Sequence, residues 1–195
     1  EIPGQNGTPA GCDRSDRNYP ALVAAALGLK AGDFRDVSCS GATTGDLFAP
    51  QSTDHGVNPA QLSAVSAGTR LVTVGVGGND IGFSSMLTKC VKAGFGFQLE
   101  KWVDDKGADD SPCRHQYDSG GDDDVQDRID TLGGRVSAVL GEIGRRAPRA
   151  DVYVVGYPAI LPAQGGEGAQ RMGLAPGDLS FLRETEQRLN TELRE

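Results

Sequence analysis

Leu71, Val72, Thr73, Val74, Gly75 and Val76 follow one another without the polar alternation of a half-solvated strand, and the run stops at Gly77, Gly78, Asn79 and Asp80. Such a stretch predicts a strand covered on both faces, as in a parallel sheet. Val152, Tyr153, Val154 and Val155 form a second apolar run before Gly156 and Pro158. Between the two, Val125, Ile129, Leu132, Val136, Val139, Leu140 and Ile143 recur at three- and four-residue steps, predicting one apolar helical stripe. Asp122, Asp123 and Asp124 precede it and Arg145 and Arg146 end it, which suits the two poles of the helix dipole; Pro148 stops it.

The rest of the chain fits the same alternation. Residues 1–18 carry glycine, proline, aspartate and asparagine with little apolar periodicity and read as an irregular surface loop. A short helix is predicted from Pro20 to Leu27, with Asn18 or Tyr19 near its cap and Gly28 at its exit. Phe34 to Cys39 is predicted to be a strand ending near Gly41, and a last helix runs from about Gly177 through Leu179, Leu182, Leu189 and Leu193. Strand and helix in turn imply a doubly wound parallel sheet between helical layers, which binds ligands at the carboxyl ends of its strands. The Gly-rich exits at Ser40–Thr44 and Gly77–Asp80 are therefore the candidate sites. At 195 residues and 37% apolar content, one domain spanning residues 1–195 is expected.

A net charge of −8 repels phosphate backbones and anionic headgroups, which disfavours nucleic acid as a partner. No apolar run reaches the roughly 20 residues of a membrane span, so no integral membrane association is expected. The sequence opens at Glu1 with neither Met nor signal peptide, as expected of a chain that has been processed, excised or trimmed. Cys12, Cys39, Cys90 and Cys113 are even in number and lack C-x-x-C spacing, which favours an oxidised, secreted protein over a zinc site. Four cysteines allow three pairings, and the residues alone do not choose among them.

Val74 to Asp80 reads Val-Gly-Val-Gly-Gly-Asn-Asp and places a glycine pair and an amide side chain at a strand exit. This block resembles the third signature block of the SGNH, or GDSL-type, hydrolases, whose name lists Ser, Gly, Asn and His from four blocks. Cys39-Ser40-Gly41-Ala42-Thr43 resembles the second. The resemblance implies a three-layer α/β/α sandwich of flavodoxin-like type and an esterase or lipase acting on acyl esters, phospholipids among them, through a Ser-His acyl-enzyme mechanism. It implies no cofactor and no metal. Gly41, by its backbone N–H, and Asn79, by its side-chain amide, would be oxyanion donors, since acyl transfer develops negative charge on the carbonyl oxygen. Asp80 is expected to hold the loop by accepting backbone N–H bonds. The resemblance also implies pairing of neighbouring cysteines, Cys12 with Cys39 and Cys90 with Cys113. The loop-rich start, the cysteine framework and the long insertion after Asn79 look most like secreted actinobacterial lipases and esterases.

The other two blocks are absent. No Gly-Asp-Ser occurs; Gly45-Asp46-Leu47 and Gly177-Asp178-Leu179 begin it and then depart from it. Neither His55, with Ser52 three residues before it, nor His115, with Pro112, fits Asp-x-x-His. The nucleophilic serine and basic histidine are therefore expected outside the given residues, with the first strand and last segment of the domain missing at its two ends. Ser40 lacks the Gly-x-Ser-x-Gly setting of a nucleophile elbow. The acidic residues Asp104, Asp105, Asp109, Asp110, Asp122, Asp123 and Asp124 lack EF-hand spacing and read as a solvated loop and helix start. Phe95, Phe97, Leu99 and Trp102 read either as an apolar wall for an acyl chain or as a local core. A monomer acting on a small-molecule or lipid ester is the leading expectation; the alternatives are a non-catalytic disulfide-tied binding module and a carbohydrate deacetylase or acyltransferase on the same scaffold.

Overall fold

The computed structural model describes residues 7–103, 109–117, 125–163, 168 and 171–195. The chain divides into two compact units, Glu1–Val76 with Arg135–Val155, and Gly77–Gly134 with Gly156–Glu195. Asp104, Asp105, Asp122, Asp123 and Asp124 lie outside the described residues.

In the first unit, Asn18 caps helix α1 (Tyr19–Ala26): its Oδ1 accepts the Ala21 N–H at 3.1 Å, Pro20 fills the first turn, and Gly28 leaves at φ 66°. A single helical turn, α2 (Gly45–Phe48), is followed by a small antiparallel hairpin of β1 (Gln51–Thr53) and β2 (Gly56–Asn58). Strands β3 (Leu71–Val74) and β4 (Asp151–Val154) then pair in parallel, with Leu71 opposite Asp151 and Val74 opposite Val154. Two helices, α3 (Phe83–Val103) and α4 (Val125–Arg146), lie in the crossover between them, as a parallel connection requires. At the end of α4, Glu142 bonds both Arg145 and Arg146, and Arg146 reaches the Leu62 carbonyl at 2.6 Å. The two guanidinium groups hold the Glu142 carboxyl down at about 2.

Two expectations change here. Phe34–Cys39 forms no strand among the described residues, because side chains occupy its carbonyls where a ladder would: Asn58 donates to Val37 and Arg14 to Ser38. The β3 and β4 runs are strands, but they are not covered on both faces. Among the described residues Leu71, Val152 and Tyr153 are exposed, since a continuous apolar run sets strand type while burial of a strand's faces needs layers packed against them.

In the second unit, α3 occupies the insertion after Asn79, where no helix was expected. It buries Met86, Cys90, Gly94 and Phe97 along one face. Phe97 is thus a core residue, whereas Phe95, Leu99 and Trp102 remain in solvent. Helix α5 (Pro176–Glu192) contributes Leu179, Phe181, Leu182 and Leu189 to the same core, and Tyr117 stacks on Phe181 at 5.7 Å between ring centres. Cys90 is bonded to Cys113 across 23 residues, and in the first unit Cys12 is bonded to Cys39 across 27. Closing loops of this size is worth about 3 kcal/mol each in the chain-entropy treatment.

Asp178, in the first turn of α5 and fully buried, accepts the backbone N–H groups of Cys113 at 3.0 Å and Arg114 at 2.9 Å, and so fastens the Cys113 segment to α5. Burial pushes its carboxyl above the ordinary 3.8, with the two N–H groups opposing that shift. A group whose pKa is raised on folding contributes most stability below its unfolded value, and that contribution is lost as pH rises through the folded value. The thermal midpoint of the parent relative to Asp178→Asn should therefore fall as pH is raised from about 3 to 7. Paired melting curves check this; a difference that is flat or rises with pH would refute the burial-dominated assignment.

Candidate active site

Gly41 belongs to the first unit and Asn79 to the second. Around Gly41, the Cys12–Cys39 bridge is reinforced by the Ser40 N–H, which donates to the Cys12 carbonyl at 3.0 Å. The Ala42 N–H donates to the Cys39 carbonyl at 3.1 Å and closes a tight turn with Gly41 at its third position. Gly41 has φ 74°, the left-handed geometry that a type II turn demands there. The surrounding space is open: an added Cβ would meet nothing nearer than Gln51 Nε2 at 3.9 Å, so conformation rather than crowding selects glycine. Gln51 Nε2 donates to the Ser40 carbonyl at 2.8 Å, and Asp46 accepts both the Thr43 N–H and its hydroxyl. The turn is thus held from both sides, its hydrogen bonds leave the Gly41 N–H unused, and Gly41 is exposed.

Asn79 sits in the turn that joins β3 to α3. Gly77, at φ 120°, packs so closely on α4 and α5 that a Cβ would approach Leu132 Cδ2 to 2.8 Å. The Gly78 N–H donates to the Tyr157 hydroxyl at 2.8 Å, and a Cβ on Gly78 would lie 3.0 Å from that same oxygen. The Ile81 N–H returns to the Gly77 carbonyl, Gly82 to Asn79 and Phe83 to Gly78, so the turn winds directly into the helix. Ile81 is fully buried beneath it, and Arg128 donates to the Ile81 carbonyl at 3.2 Å. Asn79 itself is exposed on this fixed turn.

Tyr157 and Asn190 were not singled out from the sequence. Asn190 Oδ1 accepts the Tyr157 N–H at 2.8 Å while its Nδ2 donates to the Tyr157 carbonyl at 2.9 Å, a two-point clamp from α5. The clamp positions the tyrosine ring whose hydroxyl holds Gly78. Burial raises the Tyr157 hydroxyl above its ordinary pKa of 10.0, the Gly78 bond opposes this and Asp80 adds to it. The hydroxyl therefore stays neutral at physiological pH. Gly156-Tyr157-Pro158 follows β4 after Val155, so the available signal was its place at a strand's carboxyl end.

The remaining sequence candidates occupy other elements. His55 is exposed in the β1–β2 turn. His115 is exposed in a short 3₁₀ turn (Arg114–Gln116), its Nδ1 3.0 Å from Asp109 Oδ2. Ser40 occupies the Gly41 turn and uses its carbonyl to hold Gln51. Among the described residues no group of three or more His, Cys, Asp or Glu side chains could hold a metal ion, and no helix is long and apolar enough to cross a membrane.

The sequence model of the GDSL-like Lipase/Acylhydrolase family matches residues 4–195, so the chain belongs to that family. Lipase 2 of Streptomyces coelicolor is 35% identical over 185 residues, covering 94% of this chain and 57% of that protein. Lipase 1 of the same organism is 31% identical over 182 residues, covering 93% and 55%. The chain therefore spans a little over half the length of these relatives. Among solved structures, phospholipase A1 from Streptomyces albidoflavus superposes with a TM-score of 0.69, and the extracellular lipase from Streptomyces rimosus with 0.61. Each is 28% identical, and each match covers 93% of this chain and 63% of the other. The α/β fold of this chain, with its parallel pair and crossover helices, is that of the family.

The Tyr157–Gly78 contact makes a local prediction. Tyr157→Phe keeps the ring and removes the acceptor, leaving the Gly78 N–H without a partner at a cost of about 1–3 kcal/mol. Hydrogen exchange at the Gly78 amide should accelerate selectively, and equal protection in parent and variant would show that the hydroxyl does not fasten the turn.

Proposed function

We propose that the complete protein is an exported hydrolase of carboxylic acyl esters, phospholipids among them, working as a monomer without cofactor or metal. Its domain includes residues 1–195, and the Gly41 N–H and the Asn79 side-chain amide are two of its oxyanion donors. The observation that carries the reading is the clamped Gly77–Gly82 turn: it presents an amide side chain at a strand's carboxyl end with little freedom to reorganise. Donors fixed before reaction are worth most, because no ordering remains to be done as charge develops. The left-handed turn at Gly41 supports the second donor in the same way, by leaving an N–H outside its own hydrogen bonds. Family membership and relatives named lipase, esterase and phospholipase A1 support ester hydrolysis. The two disulfides, and the extracellular lipase among the structural neighbours, support export to an oxidising compartment.

The nucleophilic serine and the general-base histidine are assigned to sequence flanking these residues. Neither the Gly-Asp-Ser nor the Asp-x-x-His block occurs within them, and the relatives are longer than the stretch they share with this chain. The serine would attack the ester carbonyl while the histidine takes its proton, then return that proton to the leaving alcohol; water completes hydrolysis of the acyl-enzyme.

In the complete protein, Asn79→Ala should lower turnover of p-nitrophenyl esters about 10²- to 10³-fold with near-normal thermal stability. Equal activity in variant and parent would remove Asn79 from the oxyanion site. The 195-residue chain alone should show no turnover of p-nitrophenyl acetate above background, since loss of a serine nucleophile costs on the order of 10⁶-fold in a serine protease. Enzyme-like rates abolished by Ser40→Ala or His115→Ala would place the attacking groups inside these residues instead.

A further inference from the structure

Helix α3 has a second apolar face. Met86, Cys90, Gly94 and Phe97 face the core, fixed by the Cys90–Cys113 bridge and by an approach of Gly94 to the Gly173 carbonyl so close that a Cβ could not fit. At about 100° per residue, Leu99 lies half a rotation from Cys90. Phe95, Leu99 and Trp102 recur at four- and three-residue steps on that outer side, with Val103 beside them, and they are 66%, 65%, 84% and 75% exposed. Lys92, three residues before Phe95, shares this side. A single exposed leucine is ordinary; four large apolar side chains in one stripe are not.

We propose that this outer face of α3 is the surface by which the protein docks on a zwitterionic phospholipid layer. The proposal deepens the ester-hydrolase reading by naming the physical state of its substrate, and it rests on that reading. Size argues against a second copy as the occupant. Phe95 to Val103 spans about 12 Å of helix. With at most about 250 Å² from each aromatic ring, the stripe offers a few hundred Å², below the roughly 800 Å² per partner of a stable protein interface. Chemistry favours the lipid boundary, where an indole places its ring among acyl chains and its N–H at the headgroups. Charge agrees: α3 carries Lys89, Lys92 and Lys101 against Glu100, a basic element in a chain of net charge −8. Lys92 beside the stripe meets lipid phosphates, whereas Lys89 and Lys101 turn to the Tyr117 and Phe97 rings, and the acidic remainder of the chain disfavours a strongly anionic surface. The stripe begins about 18 Å along α3 from the Asn79 turn, so it serves adhesion rather than the oxyanion site.

Trp102 is the only tryptophan among the 195 residues, so fluorescence excited selectively at tryptophan reports on the proposed face of this chain alone. Titration with phosphatidylcholine vesicles should shift its emission to shorter wavelength, and acyl chains brominated near the headgroup should quench it. Replacing Phe95 and Leu99 together by Ser, both well exposed, should weaken vesicle binding at least tenfold while the far-ultraviolet circular dichroism stays unchanged. An unshifted emission with no cosedimentation on vesicles overturns the proposal. So does a concentration-dependent dimer in sedimentation velocity whose formation, without lipid, produces the same emission shift. In the complete protein, failure of sucrose-loaded vesicles to carry it down would mean that the rest of its own chain covers the stripe, which overturns it as well. Binding is read without turnover, so the two readings fail separately: lost vesicle binding with intact p-nitrophenyl ester turnover sinks this proposal alone, whereas vesicle binding by a complete protein that cleaves no ester sinks the hydrolase reading.

Discussion

The Gly78 N–H donates to a tyrosine hydroxyl that is itself held in place by an asparagine from the last helix. Through this short chain of bonds, α5 sets the position of the turn after β3. Glycine suits both positions of the turn: Gly77 because its φ of 120° strains any side chain, and Gly78 because a Cβ there would press on the Tyr157 hydroxyl at 3.0 Å. The exposed Asn79 amide inherits its placement from those buried neighbours. An amide on a mobile loop would have to be ordered during reaction, and that cost would be subtracted from whatever it gives the transition state.

Each unit uses a disulfide together with hydrogen bonds rather than a disulfide alone. In the first, the Cys12–Cys39 bridge and the Ser40 N–H tie an irregular segment to the Gly41 turn. In the second, Cys113 is both bridged to α3 and bonded through its N–H to the buried Asp178 carboxylate of α5. A buried carboxylate is costly unless hydrogen-bonded, and two backbone donors meet that need while opposing the rise in its pKa. Asp178 also explains why a Gly-Asp-Leu triplet stands at this point without a serine after it: its work is to hold the chain together.

How far the sequence could be read varied from element to element, for identifiable reasons. β3, β4, α1, α4 and α5 were legible because β-rich runs, caps and an apolar period of three and four residues are local patterns. The turn blocks at Gly41 and Asn79 were legible because each follows an apolar segment and carries residues tolerant of unusual backbone angles. α3 was not legible. Its buried face uses Cys90 and Gly94 where an apolar stripe would show Leu or Ile, and its outer face places Phe95, Leu99 and Trp102 in water, so the two patterns blur one another. Phe34–Cys39 misled in the opposite direction, since it has the composition of a strand while its carbonyls bond to side chains from elsewhere in the unit.

By itself the sequence determined the order β3, α4, β4 and α5, the positions of the two glycine-rich turns and the family to which they belong, because each is encoded within a few consecutive residues. Only the tertiary structure decided that Tyr157 and Asn190, far along the chain, fasten the Asn79 turn, that Asp178 is buried against Cys113, and that Phe97 turns inward while Trp102 faces water. These are contacts between residues dozens of positions apart. The physical reason is that burial and hydrogen-bond pairing depend on which segments meet in space, and no local pattern of side chains carries that information.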